Sequence, residues 1–385
     1  MFLFKLESRR QIDFFFDSPE FISQLEYLCG APLERAPHND TLAYTCERLN
    51  PGELHKARRY IIRSLLRSRA LEYGRLLDTY WLIAVDATGR VSYHKKHCDH
   101  CLTATINGTT IYYHNTLEAK LVTPDGFALS IASEFIENES ADVKKQDCEL
   151  RAFRRMAPRL KKDFPQLPIC FLGDSLYAAA PAFSCVRENK WHFIITLKEG
   201  SIPNLYREFQ TLKTLCPENS ARRRGDNGIQ TFHWVNHLEH AGRTLAVIEC
   251  VQKNTKSGRD TRFVWVTDME VTPSNYLLIA KGGRLRWKIE NEGFNTQKNG
   301  GYALEHAFCS DNNGAKNFYL LLQIAHIFNQ LLEKGSLLRH LVKHNFGSVR
   351  NMARFILEAF RTCRFDAQTL DAQLSVPFQI RFDTS

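Results

Sequence analysis

Asp86, Asp174 and Glu290 are the residues of this 385-residue chain whose types and settings could carry chemistry together. Asp86 closes the apolar run Trp81-Leu-Ile-Ala-Val85, and Asp174 closes Pro168-Ile-Cys-Phe-Leu-Gly173. Glu290 lies in Arg286-Trp-Lys-Ile-Glu290, which reads as the start of a helix. A carboxylate at the end of a buried strand costs free energy unless a charge compensates it. Two such aspartates and a helical glutamate could hold two Mg²⁺ or Mn²⁺ ions. Paired metals activate a water or hydroxyl and stabilise the leaving oxygen in phosphodiester chemistry. Each residue also has a plainer reading: Asp86 as a turn residue before Gly89, and Asp174 as the N-cap of a following helix. Glu290 has a rival in Glu292, which lies about 200° away on a helix, so that only one of the two can face the aspartates.

Bringing the three together requires a sheet. The run 81–85 is expected to be a strand buried on both faces. Residues 109–122 and 127–136 read as two further strands joined by the turn Pro124-Asp-Gly126. A helix over about 141–164 follows, then the strand carrying Asp174, a helix near 178–188 and a strand over 192–197. Three strands, a helix and a strand form the start of an RNase H-like core, an α/β fold with a mixed sheet flanked by helices. In it the first and fourth strands lie side by side, which would place Asp86 next to Asp174. Residues 205–280 lean towards β structure, with strands expected at 229–234, 245–252 and 262–267 and a basic loop at Arg222-Arg-Arg-Gly225. They read as an insertion before the glutamate.

The flanks are helical. Asp17 and Ser18 offer a cap for a helix over 20–28 that Gly30 ends. A second segment, about 52–77, carries Leu54, Ile61, Leu65, Leu66 and Leu71 at helical spacing. Lys56, Arg58, Arg59, Arg63, Arg67 and Arg69 make its other face, either solvated or phosphate-contacting. Helices are expected over 315–333, 335–344 and 348–363. The division is thus 1–80 helical and basic, a possible DNA-binding region; 81–204 the first part of the catalytic core; 205–280 the β-rich insertion; 281–365 the glutamate helix and C-terminal helices; and 366–385 a tail.

At Arg286-Trp-Lys-Ile-Glu290 the chain resembles the DDE transposases of bacterial insertion sequences, in the group with a β-rich insertion before the glutamate. Those carry a Tyr-x-x-Arg-x-x-x-Glu-x₆-Lys signature, often as Arg-Trp-x-Ile-Glu. Arg286 and Glu290 match it, which selects Glu290 over Glu292. Gly283 stands at the tyrosine position and Gln297 at the lysine position, with Lys298 one step on. Asp86-Ala-Thr-Gly89 and Leu172-Gly-Asp174-Ser resemble the family's two aspartate strands. The resemblance spans roughly 80–310. It implies an endonuclease and strand-transfer activity in DNA recombination, with Asp86, Asp174 and Glu290 coordinating two Mg²⁺ (or Mn²⁺) ions. It also implies double-stranded DNA as partner, both element ends and target, and a homodimer in the active complex. Two rivals stay open: a metal-dependent nuclease on the same core, and a non-catalytic DNA-binding remnant.

Other residues carry two readings each. Arg286 could hold a phosphate oxygen or form an i,i+4 ion pair with Glu290. Lys198, Arg222, Arg223, Arg224 and Lys298 are DNA contacts or solvated charges. Trp287 and Trp234 could stack on an extruded base, with core packing the preferred reading for both. Asp147 and Glu149 suit the dipole of the helix they open. Cys98-x-x-Cys101 with His97 could form a structural Zn²⁺ site; a reduced hairpin carrying Lys95 and Lys96 is preferred, because no second Cys-x-x-Cys accompanies it.

Composition sets the frame. The charged fraction of 24% and apolar fraction of 44% are ordinary for a globular protein. A net charge of +9 favours nucleic acid over acidic small molecules. Eleven cysteines, unevenly spaced, suit reduced thiols. With no signal peptide and no apolar run long enough to span a bilayer, the expectation is a cytoplasmic protein without a membrane partner, which the resemblance implies is bacterial and nucleoid-associated.

Overall fold

The computed structural model of the chain describes residues 1–140, 142–225, 228–254, 260–335 and 342–375. It is mixed α/β, with a ten-stranded mixed sheet and helices beside it. The chain divides into a sheet unit, Glu72–Thr88 with Thr116–Glu292, and a helical unit, Met1–Leu71 with Gly89–Asn115 and Gly293–Ser385.

The strands are β1 (Trp81–Tyr93), β2 (Leu102–Ile106), β3 (Thr109–Val122), β4 (Ala128–Ile136), β5 (Ile169–Gly173), β6 (His192–Thr196), β7 (Ser220–Gly225), β8 (Gly228–Glu239), β9 (Thr244–Asn254) and β10 (Asp260–Thr267). In the sheet unit their order is β3-β1-β5-β6-β10-β9-β8-β7, with β4 on β3. The apolar runs of β1 and β5 are buried throughout, as central strands covered on both faces should be. They pair in parallel with Ala84 opposite Leu172. Beyond Val85 the burial of β1 alternates instead of stopping. Asp86 therefore sits inside a strand that runs on to Tyr93, not at its end as the sequence suggested.

The segment expected as an insertion continues the same sheet. β10 pairs antiparallel with β6, Val266 opposite Ile195, and β9, β8 and β7 follow. Arg222-Arg-Arg-Gly225, expected as a loop, belongs to edge strand β7. Arg222 and Arg224 are exposed on one face and Arg223 is half-buried on the other, the two-residue period of a strand. Charge on an edge strand discourages pairing with another chain. A helix at Pro203–Leu215, anchored by Leu205 and Phe209, precedes it and was not read from the sequence.

The helix after β4 spans Glu149–Asp163, opening about eight residues later than expected. Ala152, Phe153, Met156, Ala157 and Leu160 form its buried face. Phe153 meets Phe171 of β5 at a centroid distance of 4.8 Å. On β3, Glu118 and Lys120 are two residues apart, hence on one face, and both are fully buried. Their charges lie 3.6 Å apart. The Glu118 carboxylate also accepts hydrogen bonds from Ser130, at 2.7 Å, and from Ser133 of β4.

In the helical unit, Ser18 caps Pro19–Cys29 by accepting from the Phe21 amide, and Gly30 ends that helix at φ 66°, both as read from the sequence. Phe16 stacks on Phe21 at 4.2 Å, and Phe4 and Phe360 close the cluster edge-on and tilted. The N-terminal helices thus share a core with the helix Val349–Thr362. Arg58 does not lie on an exposed basic face: it is buried with Ile62 and Leu65 on Pro51–Arg67 and meets His55 at 2.9 Å. The long helix is Asn312–Lys334. Most of the helix expected over 335–344 lies outside the described residues, and the expected tail contains a helix, Ala367–Ser375. β2 and the start of β3 form a hairpin closed by Asn107-Gly108, both at positive φ, a turn suited to that dipeptide.

Candidate active site

The β1–β5 register carries Asp86 and Asp174 to neighbouring positions, two residues past the Ala84–Leu172 pair. Asp174 caps a single 3-10 turn, its Oδ1 accepting from the Leu176 amide at 2.9 Å. The cap reading therefore holds for one of its oxygens. Asp86 Oδ2 accepts from Arg286 Nη1 at 3.1 Å, and Arg286 Nη2 lies 2.9 Å from Glu290 Oε1. Arg286 is buried and thus joins two carboxylates 204 positions apart in the chain, which is more than a surface i,i+4 pair. Glu290 sits on the π-helical stretch Ile289–Asn295 that follows the helix Tyr276–Arg284. Single π-turns recur at functional sites. Glu292 points elsewhere, to Lys288 at 3.1 Å.

A fourth carboxylate joins them. Glu149, read from sequence as a dipole partner, is one turn before Phe153 on the buried side of its helix and interacts electrostatically with Asp86 and Asp174. Burial, then those two charges, raise its pKa to about 7. Burial likewise raises Asp86 to about 6, opposed by Arg286 and reinforced by Glu290 and Asp174. Tyr177 is fully buried beside them, and its hydroxyl finds no hydrogen-bond partner among the described residues. Burial and the charges of Glu149, Asp86 and Asp174 hold its phenol neutral. One sequence signal could have exposed Glu149: the i,i+4 spacing to the apolar stripe. Tyr177 had none.

Four hard oxygen donors, with two carboxyls pushed up by burial and a stranded phenol beside them, are a set that positive charge would relieve, and Mg²⁺ takes such ligands. Arg286 currently supplies that charge. Among the described residues the carboxylates do not form a group whose ligand atoms all lie within 4.8 Å; Cys98, Cys101 and His114 do.

No protein-family model matches the chain, and no curated protein is similar to it.

The remaining candidates separate. Trp287 is half exposed, with the Arg286 guanidinium 4.4 Å from its ring centre, so the core reading fails for it. Trp234 is core, stacked on Tyr276. Lys198 is exposed just after β6. Arg223 lines a cleft of about 340 Å³ with Lys281 and Arg284. In the helical unit, Gln297 is fully buried and donates to Gln323 at 2.8 Å, while Lys298 pairs with Glu305 at 2.6 Å. His97 faces the Ser310 carbonyl at 2.9 Å and stacks on Tyr93. The imidazole beside the two thiols is that of His114.

Gly283 has a packing reason. A Cβ there would lie 2.6 Å from Trp265 Nε1. Gly283→Ala is expected to destabilise by about 1–3 kcal/mol through overpacking, and Gly283→Tyr by more. Urea midpoints followed by tryptophan fluorescence check this; a stabilised Gly283→Tyr would contradict the packing.

The raised carboxyls also set a pH dependence. In the folded state Asp86 and Glu149 bind protons at higher pH than when unfolded. Their contribution to stability is thus full below their ordinary values of 3.8 and 4.5 and is lost as pH rises through about 6 and about 7. Without divalent ions the protein should be more stable near pH 5 than near pH 8, by on the order of 1–2 kcal/mol from Asp86 and 2–3 kcal/mol from Glu149, before other groups are counted. Urea midpoints at the two pH values, with and without Mg²⁺, measure the difference; Mg²⁺ should narrow it.

Proposed function

We propose that the chain is a DDE-type DNA transposase of a bacterial insertion sequence, built on an RNase H-like core. The observation that carries this reading is Arg286, which ties Glu290 to Asp86 beside the strand that delivers Asp174. Asp86, Asp174 and Glu290 would hold Mg²⁺ or Mn²⁺, with Glu149 behind them. When bound, the ions supply Lewis acidity to the attacking and departing oxygens of an in-line displacement. The protein's own groups do the positioning. Arg286, released from Asp86 and Glu290, can clamp a phosphate oxygen through two parallel hydrogen bonds. Trp287 offers an exposed ring for a displaced base. Arg222 and Arg224 on the edge strand, Lys198, and the cleft of Arg223, Lys281 and Arg284 provide cations for the phosphate backbone.

The first displacement breaks a phosphodiester P–O bond at the element end with water and frees a 3′-hydroxyl. In the second, that hydroxyl attacks a target phosphodiester and expels the target's 3′-oxygen, so no covalent protein–DNA bond forms. Two ends joined at once imply a homodimer, acting in the bacterial cytoplasm at the nucleoid. No helix among the described residues is long and apolar enough to cross a membrane.

The test uses duplexes carrying the element's end sequence with a recessed 3′-hydroxyl, plus target plasmid and Mg²⁺. Joined products support a transposase. Cutting without joining makes the protein a nuclease on this site. Binding that is indifferent to Mg²⁺, with neither product, makes it a DNA-binding remnant in which Arg286 permanently neutralises the carboxylates.

A further inference from the structure

We infer that Cys98, Cys101 and His114 bind one zinc ion that staples the β1–β2 connection to β3. The two sulfurs lie 3.6 Å apart, and His114 Nε2 lies 3.4 Å from Cys98 Sγ and 3.5 Å from Cys101 Sγ. A tetrahedral zinc with bonds of about 2.3 Å to sulfur and about 2.0 Å to nitrogen requires edges of about 3.8 Å between sulfurs and about 3.5 Å from sulfur to nitrogen. The triangle seen here matches those edges within about 0.2 Å. A disulfide would need the sulfurs about 2.05 Å apart, so the pair is not oxidised.

Strand register builds this triangle. Leu102 pairs with Tyr113 in the antiparallel β2–β3 ladder, which puts Cys101 across from His114 one step further along. Cys98 is returned to the same place by the turn in which the Cys101 amide bonds the Cys98 carbonyl. Cys101 and His114 are both buried, and Cys98 is partly so. Two thiolates and an imidazole are a soft set that selects zinc over Mg²⁺ or Ca²⁺. The fourth corner takes water or a loop imidazole; His97, the ligand expected from sequence, is held by the Ser310 carbonyl instead.

The role is structural. β2 is a short strand at the edge of the sheet with only its first residue buried, and a metal that ties its base to the preceding loop fixes its register. This inference stands independently of the catalytic reading, because it uses none of the same residues.

Full-length protein purified without an affinity histidine tag is assayed for metal by mass spectrometry. About one zinc per chain is expected in the wild type, falling roughly tenfold in Cys98→Ser, Cys101→Ser and His114→Ala and unchanged in His97→Ala. Since those variants could misfold, Co²⁺ is also titrated into metal-stripped wild type. A sulfur-to-cobalt charge-transfer band with the intense visible bands of a tetrahedral ion supports the site. Wild type without zinc and without the charge-transfer band overturns it, as does zinc retained in both serine variants or a Cys98–Cys101 disulfide in zinc-free protein.

Discussion

Asp86→Ala, Asp174→Ala and Glu290→Ala are each expected to lower Mg²⁺-dependent cleavage of supercoiled plasmid by about a thousandfold or more, with Glu292→Ala near wild type. Loss of a ligand that holds a catalytic ion removes several kcal/mol of transition-state stabilisation, and about 4 kcal/mol corresponds to a thousandfold in rate. Glu292 is the control because it shares the helix but bonds Lys288, away from the aspartates. The same experiment tests Glu149. Glu149→Gln keeps the shape and removes the charge that Asp86 and Asp174 feel. If Glu149 helps bind the ions, the variant needs more Mg²⁺ for half-maximal cleavage while its maximal rate changes less. Nicking by all three alanine variants at the wild-type rate would end the catalytic assignment.

Glu118→Ala is expected to destabilise the sheet unit by about 3–5 kcal/mol, because it removes the carboxylate paired with a buried ammonium. Ser130 and Ser133 also lose an acceptor with it. Glu118 and Lys120 have no access to solvent, so water cannot take over the missing role. The double change Glu118→Leu with Lys120→Met should recover most of the loss, since well-packed apolar groups often replace a buried ion pair at little cost. Urea midpoints of wild type, both single variants and the double variant give the coupling. A single-variant loss below about 1 kcal/mol would mean the pair is solvated in a way its burial denies.

What could be read without the structure was whatever local pattern encodes. Continuous burial on both faces made β1 and β5 legible as apolar runs, the Ser18 cap and Gly30 stop exposed the helix at Pro19–Cys29, and the period of 3.6 exposed the one at Pro51–Arg67, although it ends ten residues before the expected 77. The strand at Ser220–Gly225 was missed because three arginines in a row have no apolar face; an edge strand half in water needs none. The β2–β3 hairpin was missed although Asn107-Gly108 marks it, because β2 is short and only its first residue is buried.

For the site, the sequence alone determined which carboxylates end apolar runs and that Arg286 lies one turn before Glu290. Tertiary structure decided what those facts amount to. It turned the Arg286–Glu290 pair into a bridge to Asp86, sent Glu292 to Lys288, and recruited Glu149, far along the chain from both aspartates, and Tyr177, which lies in the turn that Asp174 caps. It also exchanged His97 for His114 beside the two thiols. The physical reason is common to all of these. Spacing along a helix or strand fixes which side chains share a face, but the pairing register of distant strands fixes which faces meet, and that register is set by burial summed over the whole sheet.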